Sequence, residues 1–114
     1  MRFFMYEMGD DSVPGPPPTP ELMEEMGKFM EEAIKAGALV ATGAMAPSAT
    51  GTRVSLSSGE FRVTDGPFTE AKELIGGWAL IDARDPDEAI EWAKRFRTIA
   101  GDGESHIRQV FGPE

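Results

Sequence analysis

The sequence predicts an α+β fold of the ferredoxin-like type: a βαβ repeat with a hairpin insertion, closed by a second copy into a dimeric α/β barrel. Three observations predict it. Two segments of helical period, each with a marked start, lie between runs of strand character, which gives two βαβ halves. A hairpin pattern sits between the halves. The first strand is apolar on both faces, so the side of the sheet without helices also needs a cover.

The elements follow in order. RFFMYEM (2–8) is dense in aromatic residues and reads as the first strand. DDSVPGPPPTP (10–20) reads as an extended connector, because proline fixes φ and removes donors. A helix starts at Thr19 as cap, with Pro20 in its first position and Glu21 where the helix dipole favours a carboxylate. Leu22, Met23, Met26, Phe29, Met30, Ala33 and Ile34 recur at helical spacing and predict one broad apolar face. Glu24–Lys28 and Glu31–Lys35 form i,i+4 pairs on the other side, and Gly37 supplies a left-handed stop.

ALVATGAM (38–45) reads as the second strand. Residues 53–64 alternate as a hairpin that turns at Ser58-Gly59. LIGGWALI (74–81) is a further strand, in which Gly76-Gly77 predicts a bulge or a close approach by another backbone or ligand. Asp85-Pro86-Asp87-Glu88 opens the second helix with a capping box, and Ala89, Trp92, Ala93 and Phe96 form its buried stripe. GDG (101–103) turns into a last strand, SHIRQVF (105–111).

With 114 residues the chain fits one domain, 1–114, with a modest core. A net charge of −9 argues against nucleic acid or an anionic membrane as partner, since phosphate binding needs clustered cations. The basic run of Lys94, Arg95, Arg97 and Arg108 reads as a solvated helix end. The absence of cysteine excludes disulfides, thiol nucleophiles and thiolate metal sites, and it fits a reducing compartment. No signal peptide and no membrane span are expected, which makes the cytoplasm the default location.

Chemistry narrows by residue type. One histidine, His106, leaves too few ligands for a transition metal, and Asp82, Asp85 and Asp87 do not have calcium-loop spacing. No phosphate loop, dinucleotide fingerprint or nucleophile elbow is present, so no cofactor is expected. His106 can titrate near neutral pH if it faces an interior. The densest stretch is VTDGPFTEAKELIGGW (63–78). Its bland reading is a turn shaped by Asp65 and Gly66, with Phe68 plugging the core. Its functional reading is a site in which crowded Asp65, Glu70 and Glu73 raise one another's pKa values, with Lys72 and Arg53 as countercharges.

This stretch, the segment DPDEAIEWAKR, the MRFFMYEM start and the HIRQVF end resemble the DGPF-motif branch of the YCII-related family, over essentially the whole chain. The resemblance implies a ferredoxin-like fold that dimerises into an α/β barrel. Many such proteins are encoded beside extracytoplasmic-function sigma factors. Some YCII-related proteins look like enzymes with a His–Asp pair, one of them a dehydrochlorinase of a ring substrate. This chain carries no histidine in its first helix, and His106-Ile107-Arg108-Gln109 stands where the family shows Glu-x-Arg-Pro.

Two functions follow. In the first, a cavity between the sheet and the partner subunit binds a small anionic or aromatic ligand. Asp65 or His106 is then the acid/base group, with Arg53, Glu70, Lys72 and Glu73 as polar contacts and Phe68 and Trp78 as walls. In the second, the chain is a non-enzymatic partner or sensor in a sigma-factor system, engaging a basic surface. Convergence of Asp65, Lys72 and Arg53 on a pocket favours the first, and their dispersal over an outer surface favours the second.

Overall fold

The computed structural model describes residues 1–9, 17–66 and 74–112. In chain order the elements are β1 (Arg2–Gly9), α1 (Pro20–Lys35), β2 (Leu39–Ala44), β3 (Thr52–Ser57), β4 (Glu60–Asp65), β5 (Leu74–Asp82), α2 (Pro86–Ala100) and β6 (Glu104–Gln109), with a short 3₁₀ turn at Ser48–Thr50. Strands β2-β5-β1-β6 form a four-stranded sheet and β3-β4 a separate two-stranded ribbon. Every neighbouring pair is antiparallel. β5 therefore lies between β1 and β2, and β1 between β5 and β6. This split order is consistent with a ferredoxin-like fold.

Local chemistry explains both helices. The Thr19 hydroxyl accepts from the Leu22 amide at 3.1 Å, and Pro20 occupies the first turn, where no amide partner is lost. At the other end Gly37, at φ +74°, donates to Ile34, and Ala38 donates to Ala33. This paired closure satisfies the last carbonyls in a conformation only glycine adopts freely. The Glu24–Lys28 and Glu31–Lys35 pairs form at 3.2 and 3.0 Å in solvent, where each contributes about 0.3–0.5 kcal/mol.

At α2, Asp85 accepts from the Glu88 amide at 2.8 Å. The Glu88 carboxylate does not return to Asp85 as a capping box requires. It accepts from the Arg84 amide at 3.3 Å and pairs with the Arg84 guanidinium at 3.0 Å, so both of its contacts go to Arg84.

Residue parity assigns the two faces of the sheet. Phe3, Met5 and Glu7 align with Ile81, Ala79 and Gly77 on one side and with Gln109, Ile107 and Ser105 on the other. The core forms here from Phe3, Met5, Ile81 and Ala83 against Ala89 and Ala93 of α2. Ala89 is fully buried and Ile81 is 3% exposed. Burying each large member contributes about 1.5–3 kcal/mol. The α1 stripe is narrower than its spacing predicts, because Met23 and Ile34 are 63% and 60% exposed. Both lie about 80–100° around the helix from Ala33, at the margin of the contact.

Gly76 is the extra residue in a bulge: Glu7 opposes Gly77, while Met8 already opposes Ile75. The bulged carbonyl is not lost, since it accepts from the Met45 amide at 2.7 Å. The β3–β4 turn has positive φ at both Ser58 (51°) and Gly59 (80°), the two-residue geometry that matches strand twist. The last strand ends at Gln109, two residues before the expected end, and Phe111 is 82% exposed.

The ribbon widens the molecule. Its extents are 48 × 41 × 18 Å and its radius of gyration is 16.5 Å, against about 13 Å for a globular chain of this length. Val54 opposes Val63 and Leu56 opposes Phe61, so these four share one ribbon face, and each is more than 60% exposed. No described helix is long and apolar enough to cross a membrane.

Candidate functional site

The sheet face opposite the helices carries a row of rings. Trp78 on β5 pairs with Tyr6 on β1, and Tyr6 pairs with His106 on β6. Direct cross-strand partners point to the same side, so all three share the open face, with Phe4 two residues along β1. Ring centroids are 5.5 Å apart for Phe4–Tyr6 and for Tyr6–His106, and 6.1 Å for Phe4–Trp78. These are stacking and tilted contacts of favourable range. All four residues are half-buried. Trp78 is held tightly because its indole lies against Gly43, where an added Cβ would sit 3.1 Å from the ring.

The polar end of the row is His106, whose Nε2 lies 3.1 Å from the Glu104 carboxylate two residues earlier on the same strand face. With Nε2 as the donor, this contact is a hydrogen bond to the carboxylate. Arg108, the partner of Phe4, adds a cation to the same face.

The other candidates sit elsewhere. Asp65 ends β4 opposite Thr52, is exposed, and accepts a hydrogen bond from the Thr52 hydroxyl at 3.2 Å. Arg53 is exposed on β3 opposite Thr64. Adjacent strand residues point to opposite faces, so Arg53 and the Thr52–Asp65 pair diverge across the ribbon. Gly66 is required for a reason different from the proline after it. Its φ is not positive, but an added Cβ would collide with the Ser48 carbonyl oxygen, and its amide donates to Gly51 at 2.8 Å. The Asp65-Gly66 pair thus pins the ribbon's foot to the 3₁₀ turn. Phe68, Glu70, Lys72 and Glu73 lie outside the described residues, as does the connector 10–16.

Tyr6, Phe4 and Glu104 were missed by sequence reasoning. Alternation along β1 signals that Phe4 and Tyr6 share a face, but only the strand register shows that Trp78 and His106 join them. Equally hidden was a charged cluster on the helix face. Glu7 pairs with Arg97 at 3.0 Å and accepts from the Ser105 hydroxyl at 2.9 and 2.8 Å. Three of the four cations of the basic run form ion pairs within the chain: Lys94 with Glu91, Arg95 with Glu32 and Arg97 with Glu7. Among the described residues no group of three or more His, Asp or Glu is placed to hold a metal ion.

A protein of Rhizobium meliloti (strain 1021), described as uncharacterised, is 33% identical over 73 residues, which is 64% of this chain and 59% of the relative's own length. The model of the YCII-related domain matches residues 1–112. With nearly its whole length matched and the split sheet order in place, this chain belongs to the YCII-related domain family.

Proposed function

We propose that this chain is a small-molecule-binding protein of the DGPF-motif branch, working as a homodimer whose second copy closes the open sheet face into a barrel. The observation that carries the reading is the row Trp78–Phe4–Tyr6–His106, four rings on a face that neither described helix covers. A row of rings is a surface on which a flat aromatic ligand stacks, and closure by a partner would supply the second wall. Arg108 offers a charge partner for an anionic arm, and the His106–Glu104 pair is the acid/base group of the site. The exposed stripe of Val54, Leu56, Phe61 and Val63 supplies further apolar surface for the dimer contact.

Two measurements test this. Light scattering after size exclusion should give the dimer mass at micromolar concentration, and Phe61→Asp with Leu56→Asp should lower it. A thermal-shift screen of aromatic acids should find a ligand that stabilises the wild type and His106→Asn but not Trp78→Ala. A monomeric wild type, or a ligand indifferent to Trp78, overturns the reading.

A second reading has its own support. Asp65 and Arg53 diverge across an exposed ribbon, the dispersal expected of a protein-partner surface. In that case the chain is a non-enzymatic component of an extracytoplasmic-function sigma-factor system. Loss of partner binding in Asp65→Ala with Arg53→Ala, with aromatic-acid binding absent in the wild type, distinguishes it.

A further inference from the structure

We infer that the space between α1 and the sheet is a binding site for a neutral, single-ring aromatic molecule. It lies on the helix side of the sheet; Trp78 belongs both to its lining and to the ring row, so the methionines of the helix side, not Trp78, distinguish this site from the open-face reading.

The site exists because two rows of residues do not meet. Along β5 the helix-facing residues run Gly77, Ala79, Ile81. Ile81 fills its layer and is 3% exposed, but glycine and alanine leave the layers beside it short. Above them α1 presents Met26, Phe29 and Met30, and Met5 of β1 completes the wall. The result is a cavity of about 140 Å³, partly open to solvent.

Size and lining define the ligand. An enclosed apolar cavity of about 150 Å³ can take up benzene, and this cavity, though partly open, is of similar size. The thioethers of Met5, Met26 and Met30 are polarizable and adjust to a ring. The acidic group at the wall, Glu7, is already matched by Arg97 and Ser105, so a cation gains no free partner there. An anion would lose its hydration in this largely apolar lining without a free cation to compensate it. Neutral aromatic molecules with short alkyl substituents fit these conditions.

The test uses the full chain with ¹³C-methyl methionine and toluene as probe, and benzoate as its charged counterpart. Toluene should produce saturable shifts at the methyls of Met5, Met26 and Met30. Those of Met23 and Met45, which are 63% and 52% exposed, should not move. Benzoate should leave the three wall methyls unmoved. Ala79→Leu fills the cavity and should weaken toluene binding at least about tenfold. If that variant does not fold, Gly77→Ala serves instead. Its added Cβ meets Glu7 Cγ and the Gly43 carbonyl oxygen at 3.7 and 3.8 Å, ordinary contact distances, and binding should weaken about threefold. Shifts spread over all methionines, no saturation up to the solubility of toluene, benzoate binding as tightly as toluene, or undiminished binding in the filling variant each overturns the proposal.

Discussion

Removing both partners of the Glu7–Arg97 pair should destabilise this protein by less than the sum of the two single losses. The Nη2–Oε2 distance is 3.0 Å, and the two side chains are 26% and 23% exposed. Exposed pairs are worth about 0.2–1 kcal/mol, and breaking a fully buried pair costs about 3–5 kcal/mol. A pair with three quarters of its surface covered falls between, at about 2 kcal/mol for Arg97→Met or for Glu7→Gln. Two features set the value for Arg97 near the lower end. Its Nε is buried without a hydrogen-bond partner among the described residues, so deletion also relieves an unmade bond. Its guanidinium also lies 4.9 Å from the Phe96 ring centroid, a contact methionine partly preserves. At about 4 °C per kcal/mol for a domain of this size, each single variant should melt about 6–10 °C lower. The double variant should be more stable than the sum of the single losses predicts, by about 1 kcal/mol or more. Urea unfolding of the four proteins at one fixed concentration measures this. Single losses below about 0.5 kcal/mol, or strict additivity, would refute the claim that the pair is coupled across the helix–sheet layer.

Gly66→Ala should loosen the ribbon alone, because its Cβ collides with the Ser48 carbonyl oxygen while β3 and β4 pack mainly on each other. Hydrogen exchange should accelerate in 52–66 with little change in the main melting transition, as local unfolding predicts; a large fall in global Tm would contradict the ribbon's independence. The Asp82 carboxyl is held below its ordinary value of 3.8, chiefly by the hydrogen bond from Arg2. A depressed folded value means a contribution that is complete above pH 3.8 and is lost as pH falls through the lower folded value. Asp82→Asn should therefore lower stability slightly at neutral pH, leave it unchanged at the acid end where the contribution is already lost, and so flatten the acid limb between them. An unchanged acid limb would refute it.

What the sequence determined by itself is whatever depends on residues a few positions apart. Thr19-Pro20-Glu21 and Asp85-Pro86 start the helices, Gly37 stops the first and Ser58-Gly59 turns the ribbon. Each is decided by a backbone φ or an amide within one helical turn, and each could be read directly. The capping box did not form because Glu88 bonds Arg84 instead, a competition that spacing alone does not rank. Side-chain alternation also showed that Phe4 and Tyr6 turn away from Phe3 and Met5.

Only the tertiary structure decided which residues meet across the sheet. Trp78, Tyr6 and His106 form one row because β5, β1 and β6 align in a particular register, and a bulge shifts that register by one residue. Glu7 and Ser105 are 98 residues apart in the chain and share one hydrogen-bonded cluster. Asp65, prominent in sequence because of its charged neighbours, instead ties a ribbon foot beside Ser48. Local rules fix where elements start and stop. Packing of the whole chain fixes their register, and in this protein the candidate site is a property of register.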